Sequence, residues 1–281
     1  MSFVLAAISS FAWSVFDLSR KKLVNHFSAL GFLFFLSIIQ AVLFYIIIIF
    51  TGEELIIAKQ YFWTFIASIA SVFFAHIAFL KAIKWSQFSS VIPLLSCIPI
   101  FSIIFSIFIL DEWLSLRQIT GGIIIVIASF FVQSSEKGGL RLEKGSWYMI
   151  LSAGCWALTS IFSKQVLVEV PKLTLFFEQN LMIAIFLLGY FLFKSPKELL
   201  VKWTGFKISF LSLAVLSSMG ALFFQFWSIE TLFVGVFEAF KQAISLLLTL
   251  FFAKMFLQEH ISKKKILSII VMISGVFLIS I

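Results

Sequence analysis

Ser134-Ser135-Glu136-Lys137-Gly138-Gly139-Leu140-Arg141-Leu142-Glu143-Lys144-Gly145 is the longest strongly polar connection in this chain, and it falls near the middle. Everything around it is apolar. The chain is 62% hydrophobic and 12% charged, with 38 Phe, against about 25% charged residues in ordinary soluble domains. Outward from the polar stretch lie ten apolar runs, at about 2–19, 28–50, 61–80, 89–110, 117–134, 147–166, 173–193, 207–229, 232–253 and 265–281. A helix needs about 20 apolar residues to cross a hydrocarbon core, and these runs approach or exceed that. They are continuous rather than alternating every second residue, which marks helices and not barrel strands. The expectation is an all-α integral membrane protein of ten transmembrane helices, with a first unit at 1–134, a connecting loop at 135–145 and a second unit at 146–281.

The two units repeat one another. A shift of 143 superposes Ser9 on Ser152, Trp13 on Trp156 and Lys21 on Lys164; a shift of 147 superposes Leu110 on Leu257, Glu112 on Glu259, Ser115 on Ser262, Ile119 on Ile266, Ile123 on Ile270 and Phe130 on Phe277. Five spans per unit is an odd number, so the second unit enters the membrane upside down. Inverted repeats of this kind build many secondary transporters, with a site near the midplane and alternating access by rocking one bundle on the other.

The residues at the junction of the fourth and fifth runs carry a resemblance. Leu110-Asp111-Glu112-Trp113-Leu114-Ser115 with Gly121 and Gly122 beyond, and Leu257-Gln258-Glu259-His260-Ile261-Ser262 with Gly275 beyond, look like the EamA repeat of the drug/metabolite transporter superfamily. Pro99 resembles the proline common in the family's fourth helix. The resemblance implies a membrane transporter and spans essentially the whole chain. It departs from the family at Leu246, where a second proline would fall, and at Ala128, opposite Gly275.

Charge orders the topology. The odd-numbered connections hold most of the Lys and Arg: Arg20, Lys21 and Lys22; Lys81 and Lys84; Lys137, Arg141 and Lys144; Lys194, Lys197, Lys202 and Lys207; Lys254 and Lys263 to Lys265. The even ones hold Lys59, Arg117, Lys164 and Lys172. By the positive-inside rule the odd loops are cytoplasmic and both termini face outward, opposite to the usual family arrangement, in a multi-pass inner or plasma membrane protein. The net charge of +8 is scattered over loops and forms no basic face, so nucleic acid is not an expected partner. The first run lacks a charged n-region and reads as a retained span, not a signal peptide. Cys97 and Cys155 lie in spans and read as free packing thiols.

One run breaks the rule that charges stay at span ends. In Phe237-Glu238-Ala239-Phe240-Lys241-Gln242-Ala243-Ile244-Ser245, the residues Glu238, Lys241, Gln242 and Ser245 share one helical face. A charge near the bilayer centre costs about 2.5 to 3.5 kcal/mol on insertion scales, so it should face protein or water. Glu178, Asn180 and Gln225 lie at comparable depth, and Trp13 and Trp156 are placed to wall a cavity. These eight, counting Glu238, Lys241 and Gln242, are the expected substrate-binding set. Glu178, Glu238 and His76 are candidates for proton coupling, and Pro93, Pro99, Glu112 and Glu259 for structural roles, with Ser115 to Gln118 a helix capping box. The first half is expected to supply kinks and hydroxyls and the second half the charge.

A site holding both signs suits a small-molecule substrate such as an amino acid or related zwitterion; the alternative is a nucleotide-linked or lipid-linked sugar. The three His have no metal-ligand spacing, and no catalytic or phosphate-binding motif occurs, so enzyme chemistry, a metal and a cofactor are not expected. No connection is long enough to fold as a partner-binding domain. The expected partners are the substrate, the lipid bilayer and coupling protons, in a monomer or homodimer.

Overall fold

The structure, a computed structural model, describes residues 1–56, 58–86, 91–134, 144–257 and 263–280. Ten α-helices occupy them: α1 (Ser2–Leu23), α2 (Ala29–Thr51), α3 (Phe62–Trp85), α4 (Cys97–Leu110), α5 (Leu116–Ser134), α6 (Lys144–Val166), α7 (Lys172–Lys194), α8 (Gly205–Ile229), α9 (Val234–Leu257) and α10 (Lys263–Ser280). Helices α1, α2, α3, α7 and α8 each have the length and apolar composition to cross a membrane, and Leu94–Leu110 and Leu116–Ala128 are shorter apolar stretches. At 1.5 Å per residue, the 24 residues of α9 span about 36 Å, more than a hydrocarbon core.

Local chemistry sets the helix ends. Ser28 accepts from the Gly31 N–H at 2.9 Å to open α2, and Thr204 accepts from the Lys207 N–H at 3.3 Å to open α8. Gly52, at φ 69°, closes α2 in the left-handed region that suits glycine. The capping box forms at α5: the Ser115 N–H donates to Gln118 Oε1 at 2.9 Å and the Gln118 N–H to Ser115 Oγ at 3.3 Å. The fourth apolar run divides at its prolines. A 3₁₀ turn (Ile92–Ser96) with proline in its first positions precedes α4, which starts only at Cys97, since a proline lacks the N–H that a continuous helix would use.

Packing reveals the repeat. The most extensive helix pairs all join one half to the other: α3 with α6, α1 with α8, α5 with α10, and α2 with α7. Moving five helices along maps α1·α8 onto α6·α3, and α4·α6 onto α9·α1, while α2·α7 and α5·α10 map onto themselves. That is the signature of an approximate two-fold axis relating inverted halves. Individual bonds obey it: Ser9 of α1 donates to the Ala221 carbonyl of α8 at 2.8 Å, and Ser152 of α6 donates to the Ala75 carbonyl of α3 at 2.9 Å. At the α5·α10 contact, a Cβ on Gly275 would stand 2.9 Å from the Gly121 carbonyl oxygen, so glycine is what lets these backbones meet.

With ten crossings, both chain ends lie on one face. On this terminal face the halves are tied together. Glu53 accepts from the Thr174 N–H at 2.8 Å, Ser2 meets Thr231 at 2.7 Å, and Glu169 accepts from the Lys59, Gln60 and Tyr61 N–H groups. Those backbone donors, Lys59 first, hold the Glu169 carboxyl below its ordinary range. Gln165 of α6 donates to the Ile109 carbonyl of α4 at 3.0 Å.

Candidate functional site

A cavity lies where the halves meet, between α1, the 3₁₀ turn and start of α4, α6, α8 and α9. Its polar lining is Asp17, Arg20, Ser160, Gln225, Lys241, Gln242 and Ser245; Trp13 and Trp156 form aromatic walls, and Ile92, Leu95 and Ile98 an apolar one. The two tryptophans are repeat equivalents, and their rings meet edge to face at 5.8 Å between centroids, as expected for residues beside the two-fold axis.

A polar relay forms one wall. Trp13 Nε1 donates to Gln225 Oε1 at 2.9 Å, Gln225 Nε2 donates to Ser160 Oγ at 3.3 Å, and Ser160 Oγ donates to Glu238 Oε1 at 2.7 Å. Glu238 Oε2 pairs with Lys241 Nζ at 2.5 Å. The relay thus joins α1, α8, α6 and α9. Glu238 is 0% exposed, so it holds Lys241 rather than fronting the cavity. Gln242 donates to Ser96 Oγ at 3.4 Å, linking α9 to the 3₁₀ turn.

One and two turns beyond Trp13 on α1, the cavity lining carries a second ion pair. Arg20 Nη2 pairs with Asp17 Oδ1, also at i,i+3, while the guanidinium lies over Phe79 at 3.5 Å and Phe16 at 4.4 Å. Arg20 is only 2% exposed. It is therefore a residue of the bundle interior, not the loop charge that its place beside Lys21 and Lys22 implies. The first half accordingly contributes charge as well as shape, contrary to the division expected from sequence.

These helices carry a family signature. A model of the EamA-like transporter family matches residues 1–134 and again 143–281, which is nearly the whole chain. The chain belongs to the EamA-like transporter family. No curated protein matches. A solved structure, described only as a crystal structure of a protein, superposes with a TM-score of 0.79 at 15% identity, over 99% of this chain and 95% of its own; at that identity the likeness concerns fold alone. This EamA-like protein is thus a multi-pass membrane transporter of the drug/metabolite transporter superfamily, built from two inverted five-helix repeats.

Within the EamA-like frame, the remaining expected residues separate. His76, Gln179 and Asn180 line a smaller second cavity on the other side of the Trp13–Trp156 pair, with Gln225 shared between the two. There Asn180 donates to the Phe176 carbonyl of its own helix at 2.9 Å, and the His76 ring packs 4.8 Å from that of Trp156. Glu178 lines neither cavity. It sits half-buried on α7, with Met182 and Ile185 of the same helical face exposed at 44% and 55%, and its Oε2 has no hydrogen-bond partner.

Glu112 belongs to the terminal face. It accepts from Lys164 Nζ at 2.6 Å and from the Val234 N–H, the first of α9, at 2.8 Å. Lys164 also donates to the Leu232 carbonyl at 3.0 Å. Lys164 is therefore tied between the halves rather than free in a loop. Pro99 is buried near the start of α4; Glu259 lies outside the described residues. No cluster of His, Cys, Asp or Glu suited to a metal ion occurs among the described residues.

The residues that sequence reasoning missed are Asp17 and Arg20. Their signal was present: an acid followed three residues later by a base, here at the end of an apolar run, repeats the spacing of Glu238 and Lys241. The adjoining Lys21 and Lys22 made it look like the flank of a span.

Proposed function

We propose that this EamA-like protein is a secondary transporter of a small zwitterionic metabolite, an amino acid or a close relative, moved by alternating access. The observation that carries the reading is a cavity at the junction of inverted halves, lined by Asp17 and Arg20 from one half and by Lys241, backed by Glu238, from the other. Asp17 with Arg20 and Glu238 with Lys241 sum to no net charge. Such a lining matches a solute that carries both signs and no net charge. Lys241, held by Glu238 as its positioning partner, adds positive potential to the cavity, and Asp17 and the faces of Trp13 and Trp156 receive the ammonium. Gln225, Gln242 and Ser245 supply neutral hydrogen bonds. A nucleotide-linked or lipid-linked sugar would bring phosphate charge that this balanced lining does not match.

The terminal-face ties, Glu112 with Lys164 foremost, support a rocking motion in which they open and reform. If the terminal face is the outer one, as the charge distribution favours, solute loads from the cytoplasm, and the direction is export or exchange. Proton coupling would fall to Glu238 beside the main cavity or His76 in the second one, with Glu178, which lines neither, the third titratable group in the spans.

The test is flux in proteoliposomes against a panel of amino acids, amines, nucleosides and sugar nucleotides, with and without a pH gradient. Uptake of one or more amino acids is expected. Uptake confined to nucleosides or sugar nucleotides would overturn the reading, and indifference to the gradient would remove the proton.

A further inference from the structure

We propose that Arg20 is the receptor for an anionic group on the transported solute, and that this group is a carboxylate. The proposal deepens the reading of this cavity as the transport site and rests on it. Arg20 lines the cavity and is almost fully buried, yet only Nη2 has a protein acceptor; Nε and Nη1 are buried without one. A guanidinium has five N–H donors, and leaving buried donors of a charged group unmet is costly. A purely structural ion pair would use them. Here Asp17 engages a single nitrogen through one oxygen, and the stacking on Phe79 and Phe16 holds the group in one plane without satisfying its edge. The remaining N–H groups form an orientated set of buried donors without a protein acceptor.

The chemistry of that acceptor follows. A planar guanidinium fits a planar carboxylate. The cavity's two ion pairs sum to no net charge, so a carboxylate offset by the solute's own ammonium adds none, whereas a phosphate dianion would leave charge uncompensated in a buried site. Lys241 cannot replace Arg20 in this role, because its ammonium is engaged by Glu238 at 2.5 Å.

The experiment uses the full chain in proteoliposomes and, as probes, the common L-amino acids, their carboxamides, their decarboxylated amines, and acetate and succinate. Wild type is expected to prefer each transported acid over its amide and amine. In the Asp17→Asn/Arg20→Gln double variant, which leaves no lone buried charge, KM for the acid should rise on the order of 10- to 100-fold with kcat changed less, and the preference over the amide should vanish. Arg20→Lys should restore part of it. An unchanged preference in the double variant overturns the proposal, as does a wild-type substrate with no anionic group. If the wild type moves only acetate or succinate, and does so through Arg20, the zwitterion reading fails while this inference stands. Should the double variant not fold, thermal unfolding of the wild type decides: stabilisation by the transported solute but not by its amide supports the role of Arg20, and equal stabilisation, the mark of a water-filled pocket, refutes it.

Discussion

Glu238 has no contact with the open cavity, yet it fixes what the cavity presents. Its two oxygens are committed to Ser160 and Lys241, so replacing it leaves an ammonium without its counter-ion in a buried site. Breaking one side of such a pair typically costs about 3–5 kcal/mol, while removing both sides is far milder. Glu238→Gln and Lys241→Met should each lower the thermal unfolding temperature in detergent and abolish flux. The double variant should regain much of the stability but not the flux. A loss in the double variant equal to the sum of the two single losses would mean the pair has no energetic coupling, and normal flux in both single variants would remove it from the transport site. At this scale the sequence was readable wherever a charge interrupted an apolar run, as at Glu238 and Lys241. It was misleading where a buried charge adjoined loop charges, as at Arg20, because hydropathy registers composition and not which way a side chain turns.

Among the helices, close approach depends on missing atoms. Gly275 faces α5 so tightly that a Cβ would lie 2.8 Å from Ile125 Cγ1 and 2.9 Å from the Gly121 carbonyl. The first contact can yield by a rotamer change; the second is backbone and cannot. Gly275→Ala should therefore cost about 1–3 kcal/mol, read as a lower unfolding temperature, with Gly220→Ala, whose Cβ meets nothing within 4 Å, as a neutral control. Equal stability of the two variants would show that α5 and α10 can separate at no cost. Run lengths and prolines made the helix count and the break before α4 legible. The partners of each helix were not, because an apolar stripe pairs with any other apolar stripe until shape decides. Even so, the weak matches of Ser9 with Ser152 and Trp13 with Trp156 marked residues that the fold puts in equivalent places.

The molecule as a whole works only if its terminal face can part. Cysteines at 109 and 165, with Cys97 and Cys155 replaced, would bring thiols to the α4–α6 tie, where the Gln165 side chain now reaches the Ile109 carbonyl. A reducible bifunctional crosslink there should stop flux, and reduction should restore it; full flux through the crosslinked protein would exclude rocking about this tie. Orientation has its own measurement. Lys197, exposed on the opposite face, when changed to cysteine should resist an impermeant thiol reagent in intact cells and react after permeabilisation. Ready labelling from outside would invert the topology and with it the direction of transport.

The exchange of partners between halves also bears on how the chain is made. Helix α1 leaves the ribosome first, but the helices that bury it, α8 and α9, are nearly the last to be synthesised. Until they arrive, Asp17 and Arg20 have each other and the rings of Phe16 and Phe79, while the sides that α8 and α9 will cover stay open to lipid. The order of synthesis and the order of burial are thus at odds, and the newborn first half is a substrate for membrane chaperones and quality-control proteases rather than a finished domain. Assembly completes only when the second half closes over it, so a chain truncated after α5 should be degraded, not stored.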